Sequence, residues 1–518
     1  MRKRAFFLLA VFILFVMMAP TACRRRSDAF VIALGDNIRT IDPIGSPASV
    51  DAASERVRTL FFNTLVKKDE KFDYVGELAS DIKRSDDGQT FTFTLRDGVK
   101  FHDGRTLSSA DVKYTLDLVF SSNFAKSASF YEGTGEQKQS YIRSVEAPDP
   151  RTVVVTLMKP WVGLLSNLVP IAIIPKDSYE SQKTHPLGTG PFKFLRYDNT
   201  QQVCDMEAFP DYWDGPAQIK QVRVRVISDM NALQAELQSG RVDIAPLPTS
   251  LSPDAVKRLE QDPNLQVKAF SGSNVVLLTL NTASPPLDNV KVRQAIAYGI
   301  DRQSLIQNLL LGYGKIAHSI IPEESWAYSP GQTYSFDPAT AKRILTEAGV
   351  RIDKPVVYKL SGSSISGRQY VGVIQNYLKE VGIPVDIQTP EQNTLLDELR
   401  RGNFQIAYTQ WVGGNQDPIF YKDLFATSEI PTLTRPSRNR SRYSNPELDK
   451  LLEEAVSTFD RQRARELYGR IQEIVSRDVP VFPLWYQSNI VIARKNVGNI
   501  QVNASGDWGF VKNLTVNE

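Results

Sequence analysis

Two cysteines and three histidines are few for a chain of 518 residues. One cysteine, Cys23, closes an N-terminal processing segment, so acylation there would leave Cys204 without a disulfide partner even in an oxidising compartment. Stability must then come from the hydrophobic core. Cys204 sits in the alternating run QVCDMEAF and reads as a small core residue rather than a reactive thiol. The histidines, His102, His185 and His318, are far apart and have no cysteine or carboxylate ligand spacing around them. No metal site and no cofactor is therefore expected, and His102, inside the KFHDG turn, reads as structural. The chain has no Gly-x-Ser-x-Gly elbow, no phosphate loop and no zinc-protease helix, and Ser363 has no histidine placed to activate it. Enzyme activity is not expected. Beyond residue 22 the chain carries 58 basic and 58 acidic residues, so it has no charge excess that would suggest nucleic acid. There is no repeat of 20 to 50 residues and no long linker.

What the chain does have begins with its length, which exceeds one hydrophobic core and predicts two or three domains. Its 42% hydrophobic and 10% aromatic content is that of an ordinary soluble fold. At the N-terminus Arg2, Lys3 and Arg4 precede an apolar run from Ala5 to Ala19, too short for a comfortable membrane span. With Pro20-Thr21-Ala22-Cys23 it has the charge, length and small residues of a secretory signal, assigned to residues 1–22. The cysteine after Thr-Ala resembles a bacterial lipobox, although Pro20 stands where leucine is usual. Lipidation of Cys23 is the expectation; ordinary cleavage nearby or an uncleaved anchor are the alternatives. Arg24, Arg25 and Arg26 would then lie against anionic headgroups, each worth on the order of 1 kcal/mol.

Along the chain, strands and helices alternate. Phe30–Leu34 reads as a short strand, residues 54–65 as a helix, Phe91–Leu95 as a half-buried strand, and residues 110–120 as a helix capped by Ser108 or Ser109. Strands are expected at 151–158, 171–175, 222–227, 242–245, from Val275, at 355–360 and at 383–387, with one apolar, strand-prone segment at 480–492. Helices are expected after Asp229, with Val292, Ile296 and Ile300 on one face, after Asp337-Pro338, after the SGSSISG loop at 361–367, after Asn445-Pro446, and from Arg461 to Val475. Helix and strand in succession imply α/β lobes. In Phe404–Tyr421 a β-prone run ends at Trp411, Gly413-Gly414 frees the backbone, and Asp417-Pro418 reads as N-cap and first helical position. In open α/β lobes, loops at the carboxyl ends of strands line the binding crevice.

Six blocks carry a family resemblance over nearly all of the chain beyond the signal. Gly76–Leu116 resembles the signature block of the peptide and nickel class of extracytoplasmic solute-binding proteins (family 5). PLGTGPF at 186–192, GRVDIA at 240–245, the run 280–302, the helix 337–349 and WVGGNQDP at 411–418 follow in that family's order. The resemblance implies an α/β, two-lobed periplasmic-binding-protein fold with an additional domain inserted in the N-terminal lobe. By analogy lobe one is 28–65 plus 187–272 plus 482–518, the inserted domain 66–186 and lobe two 273–481, with a hinge where the chain crosses twice. It also implies a monomer outside the cytoplasmic membrane that closes over a ligand and hands it to ABC permease and ATPase subunits. Oligopeptide is the first expectation and dipeptide the lesser one; an oligosaccharide or other polar solute, or a sensory or peptide-chaperone role without transport, are the alternatives.

The same resemblance makes Trp411 a pocket aromatic. In peptide binders an acid commonly lies three positions later and pairs with the ligand's amine, but here that position is Gly414, and Asp417 is the candidate substitute. Dipeptide binders place an arginine in the loop that here contains Ser363 and Ser364 before Arg368. Oligopeptide binders often have an arginine where this chain has Tyr408. Gly413 would allow close backbone approach, and Asn37 and Asn415 are candidate polar contacts from opposite lobes. Against each stands a plain structural role: core aromatic, N-cap, helix-start residue or turn. The arginines at 435, 438, 440 and 442 read as a solvated loop, with an anionic gate or importer contact as the alternative.

Overall fold

The computed structural model describes residues 29–45, 51–132, 138–362, 364–411, 417–432, 435 and 437–517. The expected signal segment and Cys23 lie outside them. Among the described residues no helix is long and apolar enough to cross a membrane.

Seven strands form the sheet of lobe one, in the order Phe192–Asp198, Val203–Ala208, Gln221–Val226, Phe30–Leu34, Ile244–Pro246, Asn489–Arg494 and Leu265–Phe270. Six form that of lobe two: Gly314–Ile316, Val481–Gln487, Val275–Leu280, Ile406–Trp411, Val356–Lys359 and Val385–Gln388. The inserted unit is built on an antiparallel sheet of Ala79–Arg84, Thr90–Leu95, Thr152–Leu157 and Ile142–Asp149. Sequence explains these places. FVIAL and VVLLTL are buried at every position because helices or loops cover both faces of their sheets. TFTFTL alternates, with Phe91, Phe93 and Leu95 inside. Asp229, Asp337 and Asn445 each cap a helix by accepting backbone N–H bonds, and Ser108, boxed with Asp111, caps the helix Ser109–Ser121. Cys204 is fully buried, and burial pushes its thiol up to about 12.

Several boundaries differ from expectation. The first helix is Ala52–Phe61, not 54–65, because Phe62 turns extended and Thr64 bridges to Ala172. Residues 171–174 are buried but make that single bridge rather than a strand. The helix after the serine loop starts at Ile365, inside the expected loop. The segment 480–492 is two strands in different sheets: Val481–Gln487 pairs with Val275–Leu280, and Asn489–Arg494 with Leu265–Phe270. The chain thus crosses between lobes at 487–489, not at 481–482.

That crossing runs against the other one, at 271–274. Gln487 N–H donates to Asn274 O at 2.9 Å, and Ser273 N–H donates to Ala504 O at 2.9 Å. Asn489 Nδ2 donates to Ser271 O, Asn503 O and Ala504 O at 2.9–3.1 Å. A Cβ at Gly272 would overlap the Gln487 carbonyl oxygen, so only glycine lets the two backbones touch.

Among the described residues the inserted unit has no separate core. Phe91, Phe93, Val153 and Val155 belong to the same buried cluster as Phe30, Ile32 and Leu34, so the unit and lobe one form one packed body. At their seam Asn63 Nδ2 donates to Glu77 at 2.9 Å and to Tyr212 OH at 3.1 Å, while its Oδ1 accepts from Thr189 Oγ1 and Trp213 Nε1. Glu77 also accepts from Thr64 N–H and Oγ1, at 2.6 and 2.8 Å. His102 Nδ1 accepts from Gly188 N–H at 3.3 Å and Nε2 lies 3.0 Å from Gly190 O, which ties the KFHDG turn to PLGTGPF. A Cβ at Gly188 or Gly190 would overlap the backbone of Phe61. Those motifs are a joint.

Burial lowers the His102 pKa from 6.5 to about 4, so the folded protein holds the neutral ring. The unfolded chain binds more protons between these values, and stability falls as pH drops from 6.5 through 4. The expected loss is roughly 2 to 3 kcal/mol. Urea midpoints measured from pH 7 to 4 should show this slope, and His102→Gln, less stable at pH 7, should have a flatter one; an unchanged slope would remove His102 as its source.

Candidate functional site

The lobes open toward each other at the crossing. Phe30–Leu34 lies parallel to Ile244–Pro246, and the latter runs antiparallel to Asn489–Arg494, which leaves the crossing. The carboxyl ends of the first two strands therefore face it. In lobe two, Trp411 pairs with Val275, the first strand residue after the crossing, and Val356–Lys359 runs parallel to Ile406–Trp411. The ends of these strands in both lobes thus point toward the crossing. Asn37 follows the strand at 30–34, Leu360–Gly362 the strand at 356–359, and Asp417 comes after the strand ending at Trp411.

Asp417 has two kinds of partner. Its Oδ1 accepts from Ile419 N–H at 2.7 Å, and its carbonyl accepts from Phe420 N–H at 3.1 Å. This turn precedes the helix Phe420–Phe425, so Asp417 initiates a turn and is not the helix N-cap expected from Asp-Pro. The helix starts two residues late because residues 417–420 close the turn first. Its Oδ2 accepts from the hydroxyl of Tyr74, on the hairpin Val66–Lys68 and Tyr74–Gly76 of the inserted unit. Lys68 is on the same hairpin, its Nζ 5.9 Å from the Phe72 ring centre and 5.8 Å from that of Tyr74. Burial lowers its pKa to about 8 against the opposing pull of Asp417. Burial, with the Asp417 charge, holds the Tyr74 hydroxyl far above 10 and neutral.

Further contacts join this hairpin to lobe two. Arg461 pairs with Asp73 and stacks 3.7 Å over the Trp326 ring, and Trp326 N–H donates to Lys71 O at 3.3 Å. Nearby, Phe459 of lobe two packs on Phe91 at 6.3 Å and under Arg84 at 4.1 Å. Lobe one's body therefore reaches lobe two through the inserted unit as well as the crossing. Sequence reasoning missed Lys68, Tyr74, Arg461 and Trp326. The turn in KKDEKFDY marks a hairpin, but nothing local says that it meets residues some 250 to 400 positions away.

Of the other sequence candidates, Asn37 is exposed on its loop. Tyr408 is half-buried in lobe two's core, its ring 6.4 Å from Tyr370, and burial raises its hydroxyl pKa. Ser364 is an N-cap: its Oγ accepts from Gly367 N–H at 3.2 Å. Arg368 is exposed and donates to the Gly362 carbonyl. Ser363, Gly413, Gly414, Asn415 and the side chain of Trp411 lie outside the described residues. Beside the crossing, Gln410 donates to the Gln487 side-chain oxygen. Among the described residues no group of three or more His, Cys, Asp or Glu is placed to hold a metal ion.

The family model described as bacterial extracellular solute-binding proteins, family 5 Middle, matches residues 73–431. The chain is 28% identical over 461 residues to a dipeptide-binding protein of Escherichia coli strain K12, covering 84% of each chain. It is 29% identical over 497 residues to a glutathione-binding protein, GsiB, of Salmonella typhi, covering 93% of each. The solved structure of an ABC transporter substrate-binding protein, CtaP, of Listeria monocytogenes superposes with a TM-score of 0.83 at 24% identity, over 95% of this chain and 99% of that one.

The Tyr74–Asp417 contact joins lobe two to the body of lobe one and should bias the lobes toward each other. A hydrogen bond to a carboxylate is worth about 1.5–3 kcal/mol, so Asp417→Ala should shift the open-to-closed ratio at least tenfold toward open. Tyr74→Phe should shift it in the same direction. Paired spin labels, one on each lobe, would report this as a longer mean distance without ligand; unchanged distances in both variants would mean that the contact does not hold the lobes.

Proposed function

The chain belongs to the bacterial extracellular solute-binding proteins of family 5, and from that premise we propose that it is the lipid-anchored substrate-binding protein of an ABC importer, capturing peptides by hinge closure. Oligopeptides are its ligands in preference to dipeptides. The observation that carries this choice is the state of the crevice carboxylates. Gly414 occupies the position where an acid would meet a ligand's amine, and the nearest acid in sequence, Asp417, is engaged by Tyr74, Ile419 N–H and the charge of Lys68.

A short zwitterionic peptide would gain little from such a crevice. Desolvating its ammonium without a free carboxylate forfeits a charge-assisted bond of roughly 1.5–3 kcal/mol. A longer peptide can instead be held through its backbone and side chains, against Trp411, the Gly413-Gly414 backbone and Asn415 on lobe two and Asn37 on lobe one. Closure follows because a ligand touching both lobes favours the closed state by its differential affinity. The serines of the sequence 361–366 and the missing acid also suit a second reading, an oligosaccharide or other polar solute bound through hydroxyl groups. In either case the lipid on Cys23 would keep the protein beside its permease, outside the cytoplasmic membrane.

Native mass spectrometry of protein purified gently from its own host, followed by denaturation and identification of what is released, separates the readings. Peptides of mixed sequence are expected; a single non-peptide solute would overturn the peptide assignment. Cys23→Ser should move the protein from the membrane fraction to the soluble extracytoplasmic fraction, and retention at the membrane would remove the lipid anchor.

A further inference from the structure

Lobe two contains two large hydrophobic clusters, and a polar recess lies at the seam between them. Tyr334 and Phe482 of one cluster line it, together with Ala317, Ile320 and Tyr421 of the other. Its wall includes the start of the strand Val481–Gln487, whose far end meets the crossing, so the recess is on the order of 15 Å from that crossing. Mouth included, it measures about 430 Å³, and its interior has room for about one water-sized body.

Arg302 lines this recess, is only 5% exposed, and is held by neutral groups. Its Nη1 donates to Ala317 O and, at 2.8 Å, to Pro483 O; its Nη2 donates to Tyr334 O at 2.7 Å; and its guanidinium carbon lies 4.8 Å from the Phe482 ring centre. These bonds use three of the five N–H groups of a guanidinium, which leaves one on Nε and one on Nη2. Among the described residues no carboxylate pairs with Arg302. The adjacent Asp301 accepts from Ser304 N–H and Oγ at 2.9 and 2.7 Å, and Glu323 pairs with Lys315 at 2.5 Å. Burial lowers the Arg302 pKa to about 10, which still leaves it charged at neutral pH. Burying a cation is costly, and an anion beside it offsets that cost.

The same backbone bonds bring two more donors to the recess. His318 follows Ala317, and Gln332 stands two positions before Tyr334, with its own N–H donating to Ser476 Oγ at 2.8 Å. Both line the recess, and neither side chain has a partner among the described residues. Other polar side chains there are engaged with one another: Ser319 Oγ lies 2.7 Å from Tyr421 OH and 2.8 Å from Gln472 Oε1. We propose that Arg302, Gln332 and His318 hold one small monoanion of the size of chloride, separate from the interlobe crevice and independent of the transport reading. A halide accepts from any direction, so it can take the unused guanidinium, amide and imidazole N–H groups together. The interior is too small for a phosphate.

Bromide, which can stand in for chloride, makes the site visible. Crystals of the Cys23→Ser chain grown in sodium bromide should show an anomalous peak in the recess beside Arg302. In solution, sodium chloride should raise the urea midpoint in a saturable way relative to sodium gluconate of equal ionic strength, because an ion bound only by the folded state stabilises it. The double variant His318→Ala, Gln332→Ala keeps the Arg302 bonds, and its apparent chloride affinity should fall by at least about tenfold. No bromide peak in the recess would overturn the proposal, as would a saturable rise that the double variant leaves unchanged. A peak without any saturable rise would mean an adventitious ion only, and would overturn it as well.

Discussion

The two lobes are joined at a point with no room for a side chain. At Gly272 one crossing strand lies directly against the carbonyl of Gln487 in the other, and Asn489 binds both to a third segment at 503–504. Two antiparallel crossings in backbone contact can twist about each other but cannot separate without breaking the bonds that hold them. On the reading proposed above, this contact is where the lobes would rotate. The same geometry aims the carboxyl ends of strands from both sheets at one crevice, since each of those strands is paired, directly or through one neighbour, to a strand that enters or leaves the crossing.

Hinge closure, as proposed, requires each side to move as a body. On one side the inserted unit and lobe one share a single core, sealed at the seam by Asn63, Glu77 and His102. Burial raises the Glu77 pKa, and the bonds from Thr64 and Asn63 oppose that shift by favouring its charged form. A buried polar network of this kind is stable only when its members are paired, so it resists small displacements as well as unfolding. The hairpin bearing Lys68 and Tyr74 belongs to that body, and its meeting with Asp417 is a contact between the two lobes.

Family membership explains why several sequence blocks exist, and the structure explains their physics. PLGTGPF carries its glycines because the end of the first helix fills the space that side chains would need. KFHDG holds that loop through an imidazole kept neutral by burial. Neither motif lies in the strand-end loops that face the crevice. Of WVGGNQDP the described residues are Trp411, which ends its strand beside the crossing, and Asp417 and Pro418.

By itself the sequence determined the class and order of most elements, the caps at Asp229, Asp337 and Asn445, and the core character of Cys204; between Ser108 and Ser109 the structure chose Ser108. These follow from local rules: periodicity, capping chemistry and turn residues act over a few positions and need no knowledge of the fold. Only the tertiary structure decided that residues 481–487 belong to lobe two, because an apolar strand pairs equally well with either sheet and the choice rests on partners 200 residues away. It also decided that Asp417 meets Tyr74 and Lys68, and that Arg302 lies buried among neutral partners. Such pairings depend on how whole lobes pack, and no short-range pattern encodes them.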